Sequence, residues 1–333
     1  MRPLLGRERG RLRRRLLSWY DGAARPLPWR RDADPYRVWL AETMLQQTTV
    51  AAVLPRYEAF LRRFPDLRRL ARSREPEVLR AWAGLGYYAR ARNLRAAARR
   101  LAARPRGALP RDFDSWLALP GVGRYTAAAV CSIAFGRPCA VLDGNVARVL
   151  CRLFARRGDP RPPAAQRRLQ GLAQELLDPL RPGDWNQAVM ELGETVCIPG
   201  APRCPACPVR TSCAARGAGL QGRLPRLGRK AAPEALRLDC LWIERKGRVL
   251  LWRRGADEPV LKGHWGLPEA RRLRTRAGPV LRQLRHAITR YRVTLSLRRG
   301  ALLGPPPAQA RWVPRPRLRD FLISSLWRKS VGD

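Results

Sequence analysis

A mostly α-helical region followed by a small α+β domain is predicted by three features of this 333-residue chain. Up to about residue 215, apolar residues recur at helical spacing and are interrupted by proline and glycine stops. Near residue 217 this pattern gives way to short alternating runs that read as strands. At roughly 150 residues per domain, the length accommodates two domains, each able to bury its own core.

Helices are expected at 36–53, 76–82, 89–103, 125–135, 146–155, 165–178 and 184–195. Gly217, Gly219, Gly222, Pro225 and Gly228 then suggest a flexible basic linker over 217–236. Strands are expected at 238–243, 249–252 and 291–297. The resulting division is 1–216, a linker over 217–236, and 237–333.

Lys and Arg total 67 against 26 Asp and Glu, a formal net charge of +41. Such a chain is expected to associate with a polyanion, nucleic acid or an anionic membrane surface, since basic side chains displace counterions condensed on phosphates. Part of the arginine is plain solvated surface. Hydrophobic residues at 45% exclude a wholly disordered chain. No apolar run reaches the roughly 18 residues that span a bilayer. The N-terminal arginines lead into an apolar stretch too short and polar for a signal-peptide core, so an intracellular, cytoplasmic protein is expected.

Four of the eight cysteines, Cys131, Cys139, Cys151 and Cys240, sit among apolar neighbours and read as small core residues. Cys197, Cys204, Cys207 and Cys213 instead crowd together as C-x6-C-x2-C-x5-C. In a reducing compartment this leaves a metal or cluster site, and thiolate softness alone does not choose between zinc and iron-sulfur.

Leu119-Pro120-Gly121-Val122-Gly123-Arg124-Tyr125 precedes a small-residue helix. Two glycines one residue apart permit a tight turn with outward amides, and the helix N-terminus adds partial positive charge, together a cradle for phosphate. Asp143, in Val141-Leu142-Asp143-Gly144-Asn145, ends an apolar stretch just before another helix, where a carboxylate can cap, catalyse or do both. Glu42 lies among Val38, Trp39, Leu40, Met44 and Leu45. Buried there, its pKa would rise and it could act as an acid at neutral pH; on a wet helix face it would do neither.

These segments, with Trp39 to Thr48, Gly84 to Leu94 and Leu27-Pro28-Trp29-Arg30, resemble the adenine DNA glycosylases of the MutY type, in the helix-hairpin-helix-GPD superfamily, from about residue 10 to 215. The resemblance implies a two-lobed helical fold clasping DNA, with Glu42 and Asp143 in the cleft. It further implies that Glu42 protonates adenine while Asp143 stabilises the oxocarbenium-like sugar or bonds to it, and that Tyr125 and Asn145 support the two carboxylates by hydrogen bonds. Gln46, Gln47, Thr48, Tyr87, Gly121, Gly123 and Arg124 are the implied DNA contacts. Arg25, Trp29, Leu45 and Gln187 are the implied adenine-pocket residues. Endonuclease III-like relatives carry lysine where this chain has Tyr125, so a monofunctional enzyme is expected.

The 6-2-5 cysteine spacing is that of the 4Fe-4S loop of this superfamily, which implies that Cys197, Cys204, Cys207 and Cys213 hold such a cluster, with Arg203 and Arg210 facing phosphate. Val249 to Arg254 and Gly263 to Glu269 resemble a Nudix-like lesion-sensing domain, shortened here. No glutamate-rich box follows, so pyrophosphatase chemistry is not expected. His286 to Arg290 aligns with the family's Phe-Ser-His reading loop, keeping a hydroxyl at Thr289 for the opposite base but placing arginine where histidine stands. The expected partner is duplex DNA containing adenine opposite 8-oxoguanine or guanine, bound by a monomer associated with the nucleoid. The alternatives are a glycosylase of the same superfamily for another base and a non-catalytic damage sensor.

Overall fold

The computed structural model describes residues 6–228 and 231–332. The chain divides into two compact units, one of Met1–Glu75 with Ala89–Arg229, the other of Pro76–Tyr88 with Lys230–Asp333.

In the first unit the helices Gly6–Ala23, Pro35–Leu45, Val50–Arg63, Leu67–Arg72, Ala89–Ala102, Phe113–Leu117, Arg124–Phe135, Gly144–Leu153, Pro163–Leu176 and Pro182–Thr195 follow one another. Side-chain oxygens start several of them: Asp34, Thr49, Asp66, Asp112 and Asp143 each accept an amide of the first turn. Gly136, at φ +62°, ends Arg124–Phe135 in the left-handed conformation. One core joins Leu12, Leu16, Val146, Leu150, Leu172, Trp185 and Leu192. Elsewhere Trp39 and Trp116 meet with ring centroids 5.5 Å apart, and Phe60 and Phe64 at 4.8 Å.

The single helix expected over 36–53 is two helices. Arg90 is buried and donates to the carbonyls of Thr43, Met44 and Gln46 and, at 2.9 Å, to the Thr48 hydroxyl. It thereby satisfies the orphan acceptors of a helix ending at Leu45. Gln47 follows at φ +55°, and Thr49 caps the next helix.

The flexible linker expected from residue 217 is also corrected over 217–228. Ala214–Gly217 is helical, Leu224 is buried, and its carbonyl accepts from Arg152 Nε at 2.8 Å. Gly228 is held by Asp159 and Arg161. Guanidinium donors anchor carbonyls that composition alone leaves unpaired.

The second unit contains two sheets. Glu234–Trp242 pairs in parallel with Tyr291–Leu302, which pairs antiparallel with Thr275–Ile288. In the other, Arg248–Arg253 is flanked by Glu244–Arg245, Trp265–Gly266 and Ala310–Pro314. Leu238, Cys240, Val249, Leu251, Val293, Leu295, Leu318 and Trp327 form its core. Within this unit Tyr88 donates to the Ile323 carbonyl at 2.7 Å and packs on His264. The arginine-rich strand Thr275–Ile288 is not predicted from the sequence because most of it is exposed and lacks apolar alternation. Among the described residues, no helix is long and apolar enough to cross a membrane.

Candidate active site

The helix Pro35–Leu45 is buried on nearly every side, from Tyr36 and Val38 through Met44, which leaves Glu42 no wet face. Glu42 is 5% exposed, and its Oε2 has no hydrogen-bond partner. Burial raises its pKa to about 7 and the charge of Asp143 adds to the rise, against a hydrogen bond from Tyr125 and the nearby Arg30.

Tyr125 opens the helix Arg124–Phe135, which packs against Pro35–Leu45. Its hydroxyl donates to Met190 Sδ at 3.0 Å and interacts with the Glu42 carboxyl. Burial, then the charges of Glu42 and Asp143, pushes the phenol well above its ordinary pKa. Asp143 is half-buried and caps Gly144–Leu153, with Oδ1 accepting from the Val146 amide at 2.7 Å. Burial raises its pKa too, while the amides of Val146 and Asn145 and the charge of Arg148 oppose the rise. Capping therefore orients this carboxylate without removing it from the field of Glu42.

Asn145 supports Asp143 through its main-chain amide, and its Oδ1 accepts from Arg148 at 2.8 Å. Arg148 also reaches the carbonyls of Gly193 and Cys197, and Arg152 the carbonyls of Cys197 and Ile198 and the Cys197 sulfur at 3.3 Å. The Asp143 helix is thus bonded directly to the first residue of the cysteine cluster. A Cβ on Gly193 would lie 2.9 Å from that of Asn145, so only glycine permits this helix approach.

Arg25 is engaged by Glu191 and Glu194 at 2.6 Å each, and Arg30 donates to Glu191 at 2.9 Å. Glu191 is 1% exposed. Burial raises its pKa, but bonds from Arg25 and the charge and bond of Arg30 outweigh that and leave it lowered. Trp29 is buried edge-on against Tyr57, while Leu45 and Gln187 are half-buried.

The hairpin forms between Phe113–Leu117 and Arg124–Phe135. Gly121, at φ +74°, would place a Cβ 2.6 Å from that of Asn93, so the turn requires glycine twice over. Gly121, Gly123 and Arg124 are exposed, and the Arg124 guanidinium lies 5.3 Å from the Phe113 ring centre. Gln46 donates to Thr126 at 3.0 Å, Thr48 is bound by Arg90, and Gln47 follows at positive φ. Tyr87, at φ +46° and 43% exposed, belongs to the second unit. So does Thr289, which with Arg290 forms the turn of the hairpin between Ile288 and Tyr291.

Cys197, Cys204, Cys207 and Cys213 line one small cavity with Val196, Pro202, Gln221 and the guanidinium-bearing Arg152, Arg210 and Arg216. Burial raises Cys207 to about 11, and the three other sulfurs add to the rise. Among the described residues no three His, Cys, Asp or Glu side chains are close enough to hold a single metal ion. Four thiols around one cavity, ringed by cations, are a donor set suited to a soft metal or an iron-sulfur cluster.

Sequence reasoning missed the roles of Arg90, Arg148, Arg152 and Glu191. For Arg90 a signal existed, since it shares the buried stripe of Leu94, Ala97 and Leu101.

Residues 40–175 match the family model described as HhH-GPD superfamily base excision DNA repair protein. The chain is 51% identical over 210 residues to adenine DNA glycosylase of Homo sapiens, covering 60% of this chain and 38% of that protein. It is 48% identical over 224 residues to adenine DNA glycosylase of Rattus norvegicus, covering 65% and 43%. The chain thus spans less than half the length of these curated relatives. Among solved structures, a thermostable thymine-DNA glycosylase superposes with a TM-score of 0.57 at 28% identity, over 63% of this chain and 97% of that one. Through residues 40–175, the chain is thus similar to the HhH-GPD superfamily of base excision DNA repair proteins.

Proposed function

We propose that this protein is a monofunctional DNA glycosylase that excises adenine paired with 8-oxoguanine or guanine in duplex DNA. The observation that carries it is a glutamic acid buried to 5% exposure, with its pKa raised to about 7, beside a phenol and within the field of a half-buried aspartate. Departure of a base from deoxyribose requires a proton on the base and an anion beside the oxocarbenium-like sugar, the division of labour of paired carboxylates in glycoside hydrolysis. Glu42 supplies the proton to adenine N7, and Tyr125 holds its carboxyl. Asp143, fixed by the amides of Asn145 and Val146, stabilises the sugar cation until water adds. Position 125 is a phenol, not an amine, so no Schiff base forms and strand cleavage is weak.

The base reaches this site by leaving the stack, at a cost of a few kcal/mol. The hairpin residues Gly121, Gly123 and Arg124 hold phosphate; Gln46, Gln47, Thr48 and Tyr87 contact the opened duplex. Arg25, Trp29, Leu45 and Gln187 border the adenine, with Arg25 acting from its bonds to Glu191 and Glu194. Thr289 contacts the opposite base from a shortened Nudix-like domain. Cys197, Cys204, Cys207 and Cys213 would hold a 4Fe-4S cluster, which would brace the loop against DNA. The catalytic domain so defined acts as a monomer in the cytoplasm, at the nucleoid.

The likeness to a thymine-DNA glycosylase supports a second reading, excision of a mismatched thymine. Single-turnover assays on duplexes with A:8-oxoguanine, A:G and T:G pairs separate the two. Release of adenine alone supports the first; release of thymine alone overturns it.

A further inference from the structure

The three-stranded sheet of the second unit has an outer face to which neither of the functions above assigns a role. Its strands alternate cleanly: Leu236, Leu238 and Cys240, with Val293, Leu295 and Leu297, turn into the core. The residues between them face the other way and are largely exposed. Across that face Arg237, Thr294 and Arg285 stand directly in register on the three strands. In the next row toward the Thr289-Arg290 turn, Arg292 stands between Ala235 and Ala287.

Neighbouring strands are about 4.8 Å apart, which sets Arg237 and Arg285 roughly 10 Å from one another, with Arg292 about 7 Å along the middle strand from Thr294. One carboxylate shares the face, Asp239, and Arg298 engages it at 3.2 Å. The alanines and hydroxyl side chains keep the surface flat. Around Arg237, Arg285 and Arg292 the strands present no aromatic or large apolar side chain of the kind that anchors a protein interface, and the exposed Val280 stands at the far end, opposite Arg298. A flat surface bearing three guanidiniums without a neutralising carboxylate complements a phosphodiester backbone.

We propose that this sheet face binds the phosphate backbone of duplex DNA without regard to sequence, through Arg237, Arg285 and Arg292. The proposal rests on the reading that the protein acts on duplex DNA. It adds a contact made by the second unit's own sheet, beyond the Thr289 turn.

The test uses the full chain with Arg237→Gln, Arg285→Gln and Arg292→Gln combined, against a control of equal charge loss, Arg99→Gln, Arg167→Gln and Arg168→Gln, all surface positions of the first unit. Binding of undamaged duplex is titrated across salt concentrations. The sheet variant is expected to bind about tenfold or more weakly and to show a shallower salt slope, by about 0.9 for each phosphate no longer neutralised. The control should stay within about twofold of the parent. Equal weakening in both variants overturns the proposal, as does an unchanged sheet variant. Arg285→Gln alone, with unfolding midpoints for all variants, separates weaker binding from impaired folding. Adenine release at saturating duplex should be unchanged in the sheet variant. If the parent releases no adenine, the catalytic reading fails while the binding comparison still decides this one.

Discussion

The Tyr125 hydroxyl, which donates to Met190 Sδ at 3.0 Å, also interacts with the Glu42 carboxyl, although the two residues lie on different helices and 83 positions apart in sequence. This contact links the hairpin helix to the helix that carries the proposed proton donor. Tyr125→Phe removes it and leaves a buried carboxyl with less support for its ionised form. The Glu42 pKa should rise further, carrying the fall in rate to higher pH, while loss of the carboxyl's orientation should slow excision by about tenfold at pH 6 with little change in DNA affinity, as read from single-turnover rates and equilibrium binding.

Glu42 must be protonated to act, so excision should fall as pH rises through about 7. The same shift has a stability consequence. A carboxyl whose folded pKa lies above its unfolded value binds its proton more tightly in the native state, so its contribution is favourable at low pH and is lost as pH rises from about 4.5 to 7. Glu42→Gln should therefore stabilise the fold above pH 7, by up to about 3 kcal/mol, measurable by denaturant unfolding at pH 5 and pH 8.

Asp143→Asn retains a side-chain cap, because asparagine accepts the Val146 amide as well as aspartate does. Stability should change by less than about 1 kcal/mol while excision drops on the order of 10²- to 10³-fold, the scale of removing one preorganised electrostatic group. A large drop in stability with a retained rate, from thermal unfolding and single-turnover kinetics together, would assign Asp143 to structure alone.

Glu191→Ala leaves Arg25 and Arg30 facing each other without their shared carboxylate. Removing one partner of a buried ion network typically costs about 3–5 kcal/mol. Chemical denaturation should show a loss on the order of 3 kcal/mol, at the low end of that range because Arg25 is 32% exposed.

If the four cysteines hold an iron-sulfur cluster, the purified protein should contain iron and acid-labile sulfide in near-equal amounts. Arg148→Met, which strips the Gly193 carbonyl of its donor and the Cys197 carbonyl of one of two, should lower that content and the excision rate together. Zinc without sulfide would contradict the assignment.

Much of this site was legible in the sequence because its residue types are chemically scarce. A glutamate amid Val38, Trp39 and Met44 is costly unless it has a task, and the doubled glycine before Tyr125 has few conformational uses. The supporting network was not legible. Arg148 and Arg152 are two among 67 basic residues, and beyond the apolar stripe that Arg90 shares with Leu94 nothing local marks which arginines turn inward to satisfy carbonyls distant in the chain. The break at Leu45 was hidden for the same reason, since the donor that ends that helix comes from residue 90. The strand Thr275–Ile288 escaped because an exposed, arginine-rich edge lacks the alternation that betrays a half-buried one.

Proton donation from Glu42 is tested most directly by adenine release by Glu42→Gln from a duplex carrying adenine opposite 8-oxoguanine. That variant should bind the duplex as tightly as the parent and release no adenine in a single turnover. Release at the parental rate would contradict proton donation from Glu42 and, with it, the division of roles between Glu42 and Asp143.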